Sequence, residues 1–338
     1  MDQPLISITK SKSLRLKGIA ILMMLFYHLF NRLSLLGQCD SILYINNVPF
    51  VHWLSKAANP VWLYLFLSGY GYAVKQKTLK EVGNSILNIY QHWWVILIIA
   101  FPLGFVLNPE KFRIVHFLSN LTAWNPTYNT ELWFLLPFVL LILLHKFVLF
   151  LNQSLGNLLY TILVFIVYSL CLLVFSVYGE EYVMHINRFL WLLLMVFYMF
   201  VPFSFGVLAV RIHHLKFPSL SKVSNPILLI VLSIIIIVYC YLSGTAFRVL
   251  YQIPYFLCFI LICSKITISN SLGKILERLG KYSLSMWFIH SFICYHIFSE
   301  YLYSLKYPVI IFIVLVCASY YIAMLVEKIL WVFRGRIA

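Results

Sequence analysis

The chain has 338 residues, of which 63% are hydrophobic and only 10% are charged, and its formal net charge is +15. This composition excludes an ordinary soluble domain and predicts a polytopic membrane protein. In that setting the positive charge indicates loops that face anionic lipid, not a nucleic-acid surface. The seven cysteines include no Cys-x-x-Cys pair. We therefore predict neither a disulfide framework nor a metal site.

Ten apolar stretches follow one another along the chain, and each has about the length of a membrane-spanning helix. They cover residues of about 16–34, 58–74, 86–107, 131–150, 157–177, 189–210, 226–243, 247–264, 282–299 and 307–332. With the N-terminus in the cytoplasm, 18 of the 25 Lys and Arg residues fall on the cytoplasmic side and 7 on the outer side. The positive-inside rule favours this arrangement. The sequence thus predicts an all-α integral membrane protein of about ten transmembrane helices. Residues 1–338 form a single membrane domain with both termini in the cytoplasm.

The first span carries a histidine deep within its apolar run. Lys17 precedes His28 by eleven residues. In a helix that spacing returns to within about 20° of the same face and separates the two residues by ~16 Å. Arg32 follows His28 by one turn, so we expect it on the same face. His28 would then lie about halfway through a hydrocarbon core of ~30 Å, where an ionisable residue is a functional hypothesis by default. The structural alternative is a histidine that bonds to a neighbouring helix.

Several short motifs occur in a fixed order. They are LKGIAIL at 16–22 followed by YH at 27–28, FLSGY at 66–70, LWFL at 132–135, LGKYS at 279–283 and MWFIH at 286–290. This ordered set resembles the acyltransferase-3 family, polytopic membrane enzymes that O-acetylate bacterial surface polysaccharides. The resemblance extends from residue 14 to about residue 292.

The resemblance implies a membrane O-acyltransferase of the bacterial cytoplasmic membrane. It would move an acyl group, with acetyl expected, from cytoplasmic acyl-coenzyme A to a hydroxyl of a cell-surface glycan or its lipid-linked precursor. Acyl-coenzyme A would be a co-substrate, and no tightly bound cofactor is expected. The implied partners are the glycan acceptor and the lipid bilayer, with no nucleic acid.

The chain departs from the family pattern at two places. The arginine that the family has in its first helix falls on Lys17, which keeps the charge but loses the bidentate guanidinium. A second pattern, Arg-x-x-x-Arg, falls on the uncharged Asn84 and Asn88. Three lysines just upstream are candidates to replace these arginines: Lys75, Lys77 and Lys80.

Three residues of the first span receive roles under this reading. His28 is the candidate general base, or a relay for the acyl group, because an imidazole titrates near neutral pH. Lys17 suits the phosphates of coenzyme A as a point charge, although a snorkelling lysine at the membrane surface is an equally good interpretation. Arg32 either holds the acceptor, orients His28, or anchors the helix at the outer interface.

Four further residues are candidates for the acceptor site or its cavity. Glu131 and Trp133 lie at the outer end of the fourth span, where a carboxylate is also common as a simple interface residue. His290 lies about eight residues into the ninth span, and a structural hydrogen bond is the alternative there. Ser68 lies in the second span, where a small-residue helix contact is the more common role.

Two other functional classes remain open. A transporter that flips a glycan or a lipid intermediate would use the charged stripe as its pathway, but such proteins often contain internal repeats, and none is found here. A glycan polymerase would also be polytopic and rich in aromatic residues, and we would expect it to carry a large charged outer loop. The sequence contains neither an internal repeat nor a large charged outer loop.

Overall fold

The computed structural model describes residues 7–179, 187–212, 223–243, 245 and 248–337. In this part of the chain the structure is helical apart from one short antiparallel hairpin, loops and turns. The elements in chain order are α1 (Lys10–Phe30), α2 (Leu33–Leu36), β1 (Tyr44–Ile45), β2 (Val48–Pro49), α3 (Phe50–Ser55), α4 (Pro60–Val74), α5 (Leu79–Leu107), a 3₁₀ helix (Ile114–His116), α6 (Phe117–Leu121), a second 3₁₀ helix (Thr130–Phe134), α7 (Leu135–Leu143), α8 (His145–Tyr178), α9 (Arg188–Arg211), α10 (Asn225–Leu242), α11 (Arg248–Lys265), α12 (Asn270–Ser291), a π-helix (Phe292–His296), α13 (Ser299–Tyr303) and α14 (Pro308–Ile337).

The helices have the length and apolarity of membrane spans. Within the described ranges, six helices are long and apolar enough to cross a bilayer, namely α1, α5, α8, α9, α10 and α14. Two shorter apolar stretches add to them, Thr130–Leu143 and Leu250–Lys265. An isolated apolar helix satisfies its own backbone hydrogen bonds, which is why such sequences form helices in lipid. These helices support the prediction of an all-α, multi-pass membrane protein.

The first predicted span ends earlier than expected. Helix α1 stops at Phe30, and the N–H of Asn31 donates the last helical hydrogen bond, to the carbonyl of Tyr27. Arg32 then has extended backbone angles, φ −102° and ψ 109°. Its side chain therefore leaves the helical stripe on which the spacing placed it. The prediction that Arg32 continues the helical face of His28 is wrong.

Two other boundaries differ from the predicted spans. The fourth span was expected to continue to residue 150, but α7 ends at Leu143 and α8 begins at His145. Helix α8 then bends at Gly156, where φ is 72°, a backbone conformation that glycine adopts without a steric penalty. The ninth span was expected over 282–299, but regular α-helix ends at Ser291 and the five-residue π-helix follows.

Contacts divide the chain into two compact units. The first comprises Met1–Ser7, Trp62–Ile86 and Trp133–Ser221, and the second comprises Ile8–Val61, Leu87–Leu132 and Lys222–Ala338. In the first unit, α9 packs on α8 and α7 around the buried side chains of Trp191, Leu192 and Met195.

In the second unit, α1 and α12 approach each other very closely through glycine. A Cβ on Gly18 would overlap the carbonyl oxygen of Leu276, and one on Gly280 would overlap that of Leu14. Small residues allow such backbone proximity, and in lipid this contact is a main source of helix association.

The same two helices run parallel. Arg15 of α1 pairs with Glu277 of α12 at 2.7 Å, and thirteen residues further along each helix the rings of His28 and His290 meet. Residue numbers therefore increase in the same direction along both helices. The glycine contact between them fixes His28 and His290 at the same level.

Candidate functional site

A buried cluster of polar side chains surrounds His28 at the end of α1. The Nε2 atom of His28 lies 3.5 Å from Oε2 of Glu131, and both side chains are about one-tenth exposed. The other carboxylate oxygen of Glu131 accepts from the guanidinium of Arg32 at 3.3 Å. Arg32 also lies over the ring of Tyr295, 3.9 Å from its centre, and its side chain is about half exposed. The cluster therefore reaches the surface of its unit at Arg32.

Tyr295 contacts His28 at its other ring nitrogen and at its backbone. Its hydroxyl donates to the backbone carbonyl of His28 and lies 3.3 Å from Nδ1 of the same residue. An imidazolium has two N–H donors. Here it would find the Glu131 carboxylate at Nε2 and the phenol oxygen at Nδ1. The site thus contains partners for the protonated form of His28, the form that a general base adopts during a reaction.

His290 is the second histidine of the cluster. Its ring centre lies 4.9 Å from that of His28, and the residue is fully buried. Its Nδ1 lies 2.5 Å from the backbone carbonyl of Trp287, which can only accept, so the proton resides on Nδ1. Nε2 then carries a lone pair, and it has no hydrogen-bond partner among the described residues. This buried nitrogen can therefore accept a hydrogen bond from a ligand or a water molecule.

A lysine and a third histidine extend the cluster. The amine of Lys111 contacts Nδ1 of His296. That contact makes Nδ1 an acceptor and leaves the proton on Nε2, which is buried and has no partner in the described part of the chain. Burial, together with the charge of Arg32, lowers the pKa of Lys111 to about 8, and Glu131 acts in the opposite direction. In the described chain, two cations and one carboxylate thus surround the histidines.

Loop residues hold Glu131 in place. The side-chain oxygen of Asn129 accepts from the N–H of Glu131 at 3.1 Å, and its amide donates to the carbonyl of Phe288 at 3.0 Å. Asn129 therefore ties the start of the second 3₁₀ helix to α12, immediately before His290. Tyr303 makes a similar bond, since its hydroxyl donates to the carbonyl of Leu29 at 2.8 Å. Both contacts fix backbone beside the histidines, so the cluster is held in position on both helices.

The arrangement is suited to moving a proton within a largely dry environment. A carboxylate beside one imidazole stabilises its protonated form, as in many general-base sites. The adjacent histidine adds a free acceptor, and Arg32 and Lys111 add positive charge close to a reacting centre. Burial of so many polar groups is unfavourable in an apolar helical unit, so such residues are usually retained for function.

The structure brings together four of the residues singled out in the sequence. His28, Arg32, Glu131 and His290 all lie in the second unit and meet in the cluster. Lys17 is half buried on α1, toward its N-terminal half. For Glu131 the sequence slightly favours a simple interface residue, but the side chain is buried against His28.

Ser68 and Trp133 belong to the first unit. The hydroxyl of Ser68 donates to the carbonyl of Tyr64 at 2.8 Å, a common contact for a serine within a helix. Trp133 packs edge-on against Trp191, with ring centres 6.3 Å apart. Both residues thus have packing or backbone contacts within their own unit.

Two of the lysines that are candidates to replace the missing arginines, and one of the asparagines at the departure itself, have local partners. Lys75 pairs with Glu81 at 3.0 Å, and Lys77 donates to Ser85 at 2.9 Å. The side-chain oxygen of Asn88 accepts from Arg334 at 2.6 Å, so an arginine from the last helix occupies this region.

Sequence reasoning missed Lys111, Tyr295, His296 and Asn129. Lys111 and Asn129 lie in a loop that separates two spans, and loop residues carry no helical periodicity that would assign them to a face. His296 lies three residues before the predicted end of the ninth span, a position that gives no reason to place it in a buried site. The signal that was available is its spacing of six residues from His290, which the π-helix turns toward the same cluster.

Comparison with known proteins adds no relative: no family model, no curated protein and no solved structure matches the chain.

Proposed function

We propose that this chain is a membrane O-acyltransferase that uses His28 as its general base. The observation that supports this function best is the buried contact between His28 and Glu131 beside the unpartnered Nε2 of His290. The motifs that resemble the acyltransferase-3 family support the same reaction, because His28 and His290 belong to them. The acyl donor is acyl-coenzyme A, with acetyl expected. The acceptor is a hydroxyl of a cell-surface glycan or of its lipid-linked precursor.

The proposed reaction needs one proton acceptor and one proton donor. The Nδ1 atom of His28 takes the proton of the acceptor hydroxyl while the oxygen attacks the thioester carbonyl, and Nε2–H donates to Glu131. The C–S bond then breaks, and the coenzyme A thiolate takes the proton from the imidazolium. The products are the O-acyl ester and free coenzyme A, so no other reactant is required. Sequence and geometry are equally compatible with an acyl group held first on His28 and then passed on.

Each neighbour of His28 has a role in this scheme. Glu131 stabilises the imidazolium through the 3.5 Å contact with Nε2. His290 accepts a hydrogen bond at its free Nε2, from the acceptor hydroxyl or from a neighbouring hydroxyl of the same sugar. Arg32 and Lys111 stabilise the negative charge that develops on the thioester oxygen during attack.

The relative direction of the helices is compatible with the ten-span topology. In that topology the first and ninth spans cross the membrane in the same direction, and α1 and α12 are indeed parallel. Within the second unit, Arg15 and Glu277 lie at one end of this helix pair, and Arg32 and Lys111 lie at the other. We therefore propose ten spans with both termini in the cytoplasm of a bacterial cell, and the cluster toward the outer half of the cytoplasmic membrane.

The test compares two histidines of the same unit. His28→Ala removes the proposed base, and His92→Ala removes a second buried histidine that also pairs with a glutamate, Glu327 at 2.9 Å. Membranes with equal amounts of each variant receive acetyl-coenzyme A labelled in the acetyl group. We expect His28→Ala to lose ~10²–10⁴-fold in transfer, as for loss of a general base, and His92→Ala to retain it.

Three results would count against the proposal. Transfer within a few-fold of wild type in His28→Ala would remove this residue as the base, and His290 would become the next candidate. Wild-type protein that never transfers label would exclude the reaction. Movement of an unmodified glycan across the membrane, without transfer, would favour the transporter instead.

The donor site has its own test at Lys17. If Lys17 contacts the phosphates of coenzyme A, Lys17→Ala should raise KM for the donor with a smaller loss of kcat, because the contact is made in both ground and transition states. Lys17→Arg should retain most of the activity. An unchanged donor KM in Lys17→Ala would leave Lys17 as a snorkelling lysine.

A further inference from the structure

A second feature of the second unit is an apolar groove on the other side of α1. It encloses about 550 Å³ and is bordered by α1, the hairpin of α10 and α11, and residues of α3, α12 and α14. Its walls are formed by side chains such as Ile19, Met23, Leu232, Ile236 and Phe259. Pockets of this volume are typical of sites for small-molecule ligands.

The groove is separate from the histidine cluster. Ile19 precedes His28 by nine residues, and at 100° per residue the two side chains point about 180° apart. Of the residues that line the groove, none belongs to the cluster around His28. The groove therefore needs an explanation of its own.

One end of the groove is strongly positive. Lys12 and Arg15 line it, one helical turn apart, and Lys265 ends α11 close to Lys12. Glu277 accepts from Arg15 at 2.7 Å and from Ser11 at 2.6 Å, and these bonds lower the pKa of its carboxyl group. Among the described residues that line this end of the groove, two are cations and none is a carboxylate, and Glu277 pairs with only one of the two, so the end of the groove has an excess of positive charge.

The remainder of the groove has little to offer a polar ligand. The hydroxyl of Tyr255 already donates to the carbonyl of Ala57 at 2.7 Å, and that of Ser264 to the carbonyl of Leu261 at 2.8 Å. These two wall hydroxyls are therefore occupied. A ligand that fills the groove must be apolar along its length and anionic at one end.

The groove is long enough for a lipid chain. On α1 its lining runs from Lys12 to Phe26, a separation of fourteen residues or ~21 Å of helix. One leaflet of a bilayer has an apolar depth of about 15 Å, half of the ~30 Å hydrocarbon core. We propose that the groove binds one anionic glycerophospholipid, with its phosphate at Lys12 and Arg15 and one acyl chain along the apolar wall. Arginine and lysine are the side chains that bind phosphate best.

The test uses purified full-length protein, stripped of lipid in detergent. Phosphatidylglycerol and phosphatidylcholine with identical acyl chains are the probes, and bound lipid is measured by native mass spectrometry. We expect one phosphatidylglycerol to bind in preference to phosphatidylcholine. The double variant Lys12→Gln/Arg15→Gln should bind it ~20- to 30-fold more weakly, from the strength of a basic side chain for anionic lipid. Glycerophosphate, which has the head group without chains, should not bind measurably.

Matched variants distinguish the effect of the two cations from that of the ion pair. They also distinguish an acyl chain inside the groove from lipid bound elsewhere on the protein surface. Glu277→Gln breaks the same ion pair as Arg15→Gln but keeps both cations, so it should bind phosphatidylglycerol at least as tightly as wild type. Ile236→Trp fills the groove and should reduce binding at least tenfold. Ile230 lies on the same helix but is exposed and outside the groove, so Ile230→Trp is the control and should have no effect.

Each contrary result is decisive for this site. Equal binding of the two lipids, or unchanged binding in Lys12→Gln/Arg15→Gln, would contradict the placement of the lipid phosphate at Lys12 and Arg15. Equal binding in Ile236→Trp and wild type, or tight binding of glycerophosphate, would contradict the placement of the acyl chain in the groove. The experiment measures bound lipid alone, so its outcome bears on the lipid site and not on the proposed acyl transfer.

Discussion

Replacement of Glu131 by glutamine tests the central contact of the cluster. Glu131→Gln keeps the size of the side chain and its ability to accept from Arg32, but it removes the negative charge beside His28. The perturbation therefore acts on the protonated form of His28 and leaves the packing almost unchanged. Arg32 is about half exposed, so water can solvate its charge in the variant.

The magnitude follows from the distance between the two groups. At the 3.5 Å between Nε2 and Oε2, and with an effective dielectric constant of ~20, the attraction is about 5 kcal/mol. The Glu131 side chain is only 10% exposed, so solvent weakens this attraction little. Arg32 lies 3.3 Å from the same carboxylate and opposes an imidazolium, which reduces the net effect. We expect kcat to fall by about 10²- to 10³-fold.

The assay measures transfer from labelled acetyl-coenzyme A at several donor concentrations, with protein abundance determined in the same membranes. Since Glu131 acts on the transition state, kcat should fall while KM for the donor stays nearly constant. Glu327→Gln is the matched control, because Glu327 pairs with His92 outside the cluster. Activity of Glu131→Gln within about threefold of wild type would refute the role of the carboxylate. So would an equal loss in Glu327→Gln, since the effect would then be general.

Three further predictions concern packing, topology and pH. Gly280→Ala should destabilise the protein by about 1–3 kcal/mol, because its Cβ would overlap the backbone of α1. Gly83→Ala is the control, because the space around Gly83 is open, and it should be neutral or stabilising by up to ~1 kcal/mol. Thermal unfolding of the two variants measures the difference. In a cysteine-free background, a cysteine at the exposed Asn125 should be labelled from outside intact cells, and one at the exposed Lys274 should be labelled only after permeabilisation; the reverse would contradict the topology. Lys111 should contribute stability that increases with pH between about 8 and 10.5, because over this window the folded protein binds a proton at Lys111 less tightly than the unfolded chain does. Lys111→Met should remove this contribution, so between pH 7.5 and 9.5 the melting temperature of the variant should rise less, or fall more, than that of wild type, and an identical change in both proteins would contradict it.

The sequence by itself determined the helical elements and the class of protein. Long apolar stretches must bond their own backbone groups in a bilayer, so their position along the chain is enough to place helices. The stretch around His28 is helical over Lys10–Phe30, as its composition indicates. Errors arose at helix ends, as at Arg32 and at the break between Leu143 and His145, because a cap or a break depends on one or two residues with little compositional signal.

Local spacing also identified His28 and His290 as separate candidates. It gave no indication that the two histidines meet, since they are 262 positions apart in the sequence. The contact depends on the parallel packing of α1 and α12, which in turn depends on the close approach at Gly18 and Gly280. In lipid, apolar surface does not drive helices together, so hydrophobic periodicity contains little information about which helices pair.

The partners of His28 were decided by tertiary structure alone. Glu131 reaches His28 from the start of the second 3₁₀ helix, and Lys111 reaches His296 of the same cluster from a loop that has no regular period. Such residues acquire a role only when distant segments are brought to the same level by packing and by bonds such as that of Asn129 to Phe288. Helices follow from local hydrogen bonding, which the sequence encodes locally, whereas a buried polar cluster follows from the sum of weak contacts between segments far apart in the chain.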